Sequence, residues 1–183
     1  GPLIAMEAPK IGPDHSGIYD WPRVVQHEYA HTITLSRTNN RIPHWFTEAA
    51  AQYLEDAPRD ENTCRLLASK LAAGALFGMD EINVRFTRPR TPEDRALAYA
   101  QGHWMYEFMV ERFGDDAPRR LMDAYARGER EAEAMPSELG VDRETFVREF
   151  RAWASGEVEA WGLAGASGAE YAVLIEALDP SQE

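Results

Sequence analysis

The chain of 183 residues contains few of the residues that build disulfide scaffolds or bind nucleic acid. Cys64 is its one cysteine, which excludes an internal disulfide and any zinc site made of several thiolates. Lys10 and Lys70 are the only lysines among 19 basic residues, and 31 acidic residues bring the formal net charge to −12. Nucleic acid and anionic membrane surfaces are therefore not expected partners, since both require a basic binding surface.

Long hydrophobic runs are also missing, and no apolar segment approaches the length of a membrane-spanning helix. A hydrophobic content of 44% with 27% charged residues is typical of a globular domain. The acidic excess is uneven, since residues 129–183 contain 13 acidic and 4 basic residues, against 18 and 15 in residues 1–128. We interpret this acidic C-terminal region as solvated or regulatory.

The periodicity of apolar residues predicts one mostly α-helical domain (α+β at most) over residues 1–183. We expect a strand at Leu3–Ala8 and a loop within residues 1–18, a helical core in residues 19–114 and a helical C-terminal part in residues 115–183. Residues typical of helix starts lie at Asp20, Pro43, Asp60, Thr91, Asp116, Asp142 and Ser167. The segment 83–92 contains two prolines and is expected to be extended, and 129–134 is expected to be a loop or short turn.

The first predicted helix carries the motif His27-Glu28-Tyr29-Ala30-His31. Histidines four residues apart project from one face of a helix, where both imidazoles can bind one zinc ion. Glu28 directly follows His27 and lies at the edge of the same face, where it can take a proton from a metal-bound water. The alternative is a pair of histidines that form hydrogen bonds at a packed helix interface.

The second predicted helix supplies a third candidate ligand, Glu48, which lies 17 residues after His31. A short polar loop between the two helices allows them to pack antiparallel. Glu48 can then complete a His-His-Glu site with the fourth zinc position open for water. The alternative is an ordinary glutamate in the first turn of a helix, where the helix dipole favours a negative charge.

The run from Tyr19 to Glu55 resembles the gluzincin metallopeptidases, through His27-Glu-Tyr-Ala-His31 and Pro43-His-Trp-Phe-Thr-Glu48-Ala-Ala-Ala51. It is most similar to the peptidase-MA-like domains that are often found in bacterial proteins with tetratricopeptide repeats, which are distant relatives of the aminopeptidase N family. The similarity continues through Phe86-Thr-Arg-Pro89, Ala98-Tyr-Ala-Gln-Gly102 and Glu111-Arg-Phe-Gly114, and covers about two thirds of the chain.

The resemblance implies a zincin-like fold with a minimal β element near the N-terminus and makes residues 19–114 the catalytic core. It implies Zn²⁺ bound by His27, His31 and Glu48, with Glu28 as general base and acid. The implied substrate is a peptide or protein, and further repeat domains are implied in the full-length protein.

The resemblance also implies a role for Tyr99. Relatives of aminopeptidase N carry a tyrosine followed three residues later by glycine, and Tyr99-Ala-Gln-Gly102 has that form. In that family the tyrosine hydroxyl stabilises the oxyanion of the tetrahedral intermediate. The alternatives are a buried Tyr99 with a locally bonded hydroxyl, or Tyr106 in its place.

Two departures from the family pattern concern substrate recognition and helix packing. Ala49 stands where the family usually has glycine after its ligand glutamate, and we expect this exchange to be tolerated. The aminopeptidases anchor a substrate amino group with Gly-x-Met-Glu-Asn on a strand, whereas this chain has Ala5-Met6-Glu7-Ala8. Exopeptidase and endopeptidase activity therefore both remain open.

Several further residues are weaker candidates. His44 and His103 could line the cleft, although single histidines are more often structural. Asn39 and Asn40 could orient a ligand histidine, although turn-forming asparagines are commoner. Three arginines lie close together in the segment expected to be extended: Arg85, Arg88 and Arg90. They could bind a substrate carboxylate, but a solvated or ion-paired loop is the simpler interpretation.

The sequence thus predicts zinc-dependent hydrolysis of peptide bonds. One alternative is a non-catalytic module that binds peptides or partner proteins and keeps a structural or vestigial zinc site. The other alternative is a latent peptidase whose C-terminal segment covers the cleft. The sequence predicts neither the compartment nor the oligomeric state.

Overall fold

A computed structural model describes residues 20–164, and this part of the chain consists of α-helices with no β-strand. The strand expected at Leu3–Ala8 and the helix expected at Ser167 lie outside the described residues. No helix between residues 20 and 164 combines the length and the apolar character needed to cross a membrane. The helices are α1 Trp21–Arg37, α2 His44–Leu54, α3 Glu61–Ala72, α4 Met79–Thr87, α5 Pro92–Phe113, α6 Ala117–Arg127, α7 Glu131–Leu139 and α8 Arg143–Ala160.

The helix ends follow the capping chemistry of the sequence. The side chains of Asp20, Thr91 and Asp142 each accept a hydrogen bond from a backbone N–H in the first turn of α1, α5 and α8. α6 ends at Gly128, whose φ of +96° is a conformation that glycine adopts without the steric cost of a side chain. These ends agree with the predicted ones, and the mostly helical class is confirmed.

Two predictions of irregular structure are wrong. Most of the segment 83–92 is not extended, because α4 continues to Thr87 and stops two residues before Pro89. Its buried residues Met79, Ile82 and Phe86 recur at helical spacing and attach it to the core. The segment 129–134 is not a loop throughout, since α7 begins at Glu131 and packs against α6 and α8.

α2 lies at the centre of the fold, between α1 and α5. Trp45, Phe46 and three consecutive alanines (49–51) are buried, so α2 contacts other helices on most of its surface. Gly102 of α5 lies close to α2 and α4, because an added Cβ would be 3.4 Å from Phe86 Cζ and 3.7 Å from Ala49 Cβ. The small residues therefore let α5 pack directly against the helix that carries Glu48.

The part of the core between α5 and α8 is largely aromatic. Trp104 and Phe108 of α5 meet Phe150 of α8 with ring centroids 5.5 and 5.9 Å apart. Phe146 is also buried in this cluster. The aromatic residues of α8 are therefore structural, and α8 supports α5 from the side opposite α2.

Candidate metal centre

α1 and α2 bring three side chains to one point. His31 Nε2 and His27 Nε2 are 3.1 Å apart, and Glu48 Oε2 lies 3.5 Å from His27 Nε2 and 3.6 Å from His31 Nε2. One donor atom from each of these residues lies within 4.8 Å of the others. The two ring nitrogens and the carboxylate oxygen are therefore directed at a shared position between the helices.

The opposite nitrogens of both imidazoles are held by residues of the Glu48 helix and its C-cap. His27 Nδ1 is 2.7 Å from Glu55 Oε1, and His31 Nδ1 is 2.9 Å from Thr47 Oγ1. Because His27 meets the end of α2 and His31 meets its beginning, the two helices run antiparallel, as predicted. These contacts orient both rings and leave each Nε2 directed at the cluster.

A second set of contacts holds the orienting residues in place. Arg23 Nε lies 2.5 Å from Glu55 Oε2, so the carboxylate is bound on both of its oxygens. The hydroxyls of Thr34 and Thr47 are 2.7 Å apart and buried. The position of each ligand histidine is therefore fixed by a chain of polar contacts that reaches back into α1.

The charges of the cluster are strongly coupled. Burial alone would raise the pKa of Glu48, but its contacts with His27 and His31 outweigh burial and lower this pKa to about 2. The pKa of His27 is raised, first by its contact with the Glu48 carboxylate and despite the opposing effect of burial. A site in which a carboxylate favours the charged form of a neighbouring imidazole is one in which a divalent cation can take the place of a proton.

Tyr99 and Glu28 face this cluster from α5 and α1. Tyr99 is half-buried, and its pKa is raised first by burial and then by the negative charge of Glu48, with a smaller effect of Glu28. Its ring packs edge-to-face on Phe86 at 4.7 Å. Tyr106 instead lies in the core between Phe46 and Tyr53, so Tyr99 is the tyrosine of α5 that faces the cluster.

His44 is the other candidate that lies beside the cluster. Its Nε2 is 3.7 Å from Glu48 Oε1, its ring packs on Phe86, and its side chain is 44% exposed. His103, by contrast, pairs with Glu107 at 3.4 Å on the surface of α5 that faces Tyr53. His44 therefore lines the site, whereas His103 has a partner of its own.

The other weak candidates have structural roles. Asn39 and Asn40 have φ values of +53° and +58° and form the turn after α1. The hypothesis that they orient a ligand histidine is wrong, because Glu55 and Thr47 hold the Nδ1 atoms of the two histidines. Arg85 pairs with Glu81 at 2.7 Å, and Arg90 pairs with Asp94 at 3.0 Å. The ion-paired interpretation of these two arginines is confirmed.

Glu55 and Thr47 contact the two histidines but were not among the residues predicted for the site. Glu55 follows Glu48 by seven residues, which are two helical turns, and therefore lies on the same face of α2. Thr47 precedes Glu48 directly and is buried. The spacing of Glu55 was a usable signal, whereas the role of Thr47 depends on how α1 packs.

Comparison with protein families identifies the class of this chain. The model of the Peptidase MA superfamily matches residues 9–156, which include the whole cluster. The chain therefore belongs to the Peptidase MA superfamily, which is consistent with a peptidase-like hydrolase. Searches among curated proteins and among solved structures gave no significant match.

The donor set fits a divalent metal ion. It offers two imidazole nitrogens and one carboxylate oxygen, and the side chains of His27, His31 and Glu48 are only 18, 17 and 12% exposed. Three protein ligands with nitrogen and oxygen donors are typical of catalytic metal sites that leave a position open for water or substrate. The arrangement is thus compatible with a metal centre that lies next to an acid, Glu28, and a phenol, Tyr99.

Proposed function

We propose that this protein is a zinc-dependent peptidase that hydrolyses peptide bonds with a glutamate as general base. The observation that carries the proposal is the convergence of His27, His31 and Glu48 on one point, with the unligated Glu28 next to His27. A purely structural zinc site has no use for a carboxylate in that position. Membership of the Peptidase MA superfamily supports the same reaction class.

Zinc is the metal that we propose, because this set of nitrogen and oxygen ligands is one it favours. His27 and His31 would hold the ion through Nε2 and Glu48 through its carboxylate, while Glu55 and Thr47 keep the two rings in that orientation. A bound zinc ion supplies Lewis-acid activation of water and of the scissile carbonyl.

Glu28 acts as the proton carrier of the reaction. Its carboxylate accepts a proton from the attacking water and then donates that proton to the nitrogen of the leaving amine. Glu28 is half-buried on the same helix as both histidines, one residue from His27. This position keeps it beside the metal ligands without making it one of them.

Tyr99 stabilises the charge that develops on the scissile carbonyl oxygen. The hydroxyl of Tyr99 donates a hydrogen bond to that oxygen as the carbonyl carbon becomes tetrahedral. Burial and nearby carboxylates raise the pKa of Tyr99, so the phenol keeps its proton at neutral pH and remains a donor.

The proposal also covers the subfamily, the substrates and the accompanying domains of this protein. We place the domain among the gluzincins related to aminopeptidase N, since Tyr99 precedes Gly102 by three residues and lies beside Glu48. Its substrates are peptides or proteins, and nucleic acid and membranes are not partners. We further propose that repeat domains accompany it in the full-length protein.

The test combines metal analysis with cleavage of a peptide library by wild type and Glu28→Gln. We expect both proteins to hold one zinc ion, and we expect turnover to fall by at least about 100-fold in the variant because the general base is lost. Glu111→Gln, an exposed change at the far end of α5, serves as the matched control and keeps full activity.

Two results would contradict the proposal. Cleavage by Glu28→Gln at the wild-type rate would show that Glu28 is not the base. Stoichiometric zinc without any cleavage by wild type would favour the non-catalytic or latent alternatives, and removal of residues 167–183 would then distinguish these two.

A further inference from the structure

Within residues 20–164, Arg95 has no acidic partner, unlike Arg85 and Arg90. Arg85 pairs with Glu81 within α4, and Arg90, in the connection between α4 and α5, pairs with Asp94. Within residues 20–164, no carboxylate oxygen lies within 4 Å of the exposed Arg95 guanidinium, which donates one hydrogen bond to the carbonyl oxygen of Phe86 at 3.3 Å. A guanidinium has five N–H donors, so most of the hydrogen-bonding capacity of Arg95 is free.

The position of Arg95 places this positive charge beside the candidate site. Arg95 precedes Tyr99 by one helical turn on α5, and residues four apart lie on the same face, about 6 Å apart along the axis. Helical side chains lean toward the N-terminus, which directs the Tyr99 side chain toward Arg95. The charge of Arg95 accordingly lowers the pKa of Tyr99, against the stronger effects that raise it.

Phe86 connects Arg95 to the rest of the site. Its carbonyl oxygen binds Arg95, and its ring packs against Tyr99 at 4.7 Å and against His44 at 5.3 Å. His44 in turn lies 3.7 Å from the second oxygen of Glu48. The guanidinium of Arg95 is therefore held at the rim of the site, on the side formed by α4 and α5.

We propose that Arg95 binds a carboxylate of the peptide substrate close to the scissile bond and thereby selects peptides that are negatively charged at that position. This inference rests on the proposed peptidase function. Successive residues of an extended peptide are about 3.3–3.6 Å apart. The rise of about 6 Å along α5 between Tyr99 and Arg95 is similar to the length of one or two residues of an extended peptide, so we place the carboxylate one or two residues from the carbonyl that Tyr99 contacts.

The chemistry of the remaining site makes such an anchor necessary for an acidic substrate. Glu28, Glu48 and Glu55 are all acidic, and the chain has a net charge of −12, which repels anions. A guanidinium with free N–H groups binds a carboxylate through two parallel hydrogen bonds, which gives direction as well as affinity. The carboxylate is either the C-terminus of the peptide or the side chain of an acidic residue.

The experiment measures peptide binding rather than turnover, in zinc-loaded Glu28→Gln protein. Its probes are fluorescent peptides in matched pairs, one pair with a free or amidated C-terminus and the other with a glutamate or glutamine side chain. The same pairs are measured after the additional change Arg95→Gln or Arg95→Lys. Arg88→Gln is the matched control, since Arg88 is also exposed and unpaired within residues 20–164 but lies at the end of α4.

We expect the protein to bind the charged member of one pair about 10–100-fold more tightly than the neutral member. Arg95→Gln abolishes this preference without changing the affinity for the neutral peptide, Arg95→Lys retains part of it, and Arg88→Gln retains all of it. The pair that shows the preference identifies the source of the carboxylate.

Equal affinity for charged and neutral peptides, or no binding of either, would overturn the inference. A preference that persists in Arg95→Gln would overturn it as well. Failure of the proposed function is seen separately, because it would appear as the absence of peptide cleavage by the zinc-loaded wild type.

Discussion

Each ligand histidine has one nitrogen in the cluster and the other held by a neighbour. The carboxylate of Glu55 is a strong acceptor that fixes the proton of His27 on Nδ1, whereas Thr47 binds His31 through a neutral hydroxyl. A carboxylate behind a ligand imidazole also makes the coordinating nitrogen more basic. Of the two candidate ligand histidines, His27 is therefore the one whose affinity for a metal ion is expected to depend more on its partner.

Replacement of Glu55 should weaken metal binding without unfolding the protein. Glu55→Gln keeps the size of the side chain but removes the charge that faces His27 Nδ1 and Arg23. We expect the affinity for zinc to fall about 10–100-fold, measured by competition with a chelator. Glu61→Gln, at an exposed site on α3, is the control and should bind zinc as the wild type does. Unchanged affinity in Glu55→Gln would show that this contact does not tune the site.

Replacement of Tyr99 should affect turnover and leave the metal in place. Tyr99→Phe removes the hydroxyl but keeps the ring on Phe86, so we expect kcat to fall about 100-fold with unchanged zinc content. Tyr106→Phe is the control, because Tyr106 lies in the core and its loss of a hydroxyl should not reduce kcat. A larger loss of kcat in Tyr106→Phe than in Tyr99→Phe would show that Tyr106, and not Tyr99, supplies the catalytic hydroxyl.

At the residue scale, most of the candidate site was predictable from the spacing of residues along single helices. His27 and His31 lie four apart on one helix, and the helix geometry alone brings their rings together. Glu55 contacts His27 across 28 positions of the sequence, and this contact exists only because α1 and α2 pack antiparallel. That the guanidinium of Arg95 has free N–H groups was also not predictable from the sequence. It depends on which acidic residues pair with the neighbouring arginines in the folded protein.

At the scale of elements, the contact between α2 and α5 sets the distance between Glu48 and Tyr99. Gly102 lies at this contact, and an added Cβ would meet Phe86 Cζ at 3.4 Å and the Trp45 carbonyl oxygen at 3.7 Å. There is room for a methyl group but not for a branched side chain. A bulky residue here must push α5 away from the ligand helix.

Gly102→Val should therefore destabilise the fold and impair the site together. We expect a loss of about 1–3 kcal/mol in the free energy of unfolding and a lower kcat, measured by denaturant unfolding and peptide cleavage. Gly102→Ala is the matched control and should be neutral or slightly stabilising, because alanine favours helix over glycine. If Gly102→Val is as stable and active as Gly102→Ala, the close contact does not position Tyr99.

Two helices were not predicted because proline dominated the pattern. α4 lies just before Pro89 and Pro92, and its apolar spacing of Met79, Ile82 and Phe86 is short. α7 contains Pro136, which cannot donate a backbone hydrogen bond within the helix. Its buried residues Ala134, Met135 and Leu139 hold it in place through tertiary packing, which a local pattern does not reveal.

At the scale of the whole molecule, the acidic excess after residue 129 is only partly solvated. Glu129 and Glu138 both pair with Arg127, and Glu149 pairs with Arg112. Glu131 accepts a hydrogen bond of 2.5 Å from Trp45 Nε1, which links α7 to the first turn of α2. Part of the charge thus has a structural role, which composition alone could not assign.

Glu131 should make the stability of the protein depend on pH. Burial raises the pKa of Glu131 above its value in the unfolded chain, so its contribution to stability is present at low pH and is lost as pH rises. Glu131→Gln keeps an acceptor for Trp45 without a buried charge. We expect the variant to have a higher Tm than wild type at pH 7.5, with a difference that shrinks toward about pH 4.

A change of 1 kcal/mol moves the Tm of a domain of this size by roughly 2–4 °C, which calorimetry resolves. Glu144→Gln is the control, since Glu144 is exposed and has no ion-pair partner in residues 20–164. A Tm difference for Glu131→Gln that is the same at pH 4 and pH 7.5 would exclude Glu131 as the cause.

The central claim is that His27, His31 and Glu48 form a metal centre with a position open for water. X-ray absorption at the zinc edge of the zinc-loaded protein measures this coordination most directly. The account predicts two imidazole nitrogens and two oxygens at about 2.0–2.2 Å. A nitrogen or sulfur atom of the protein as the fourth ligand in place of the second oxygen, or zinc bound at less than one ion per chain, would contradict it.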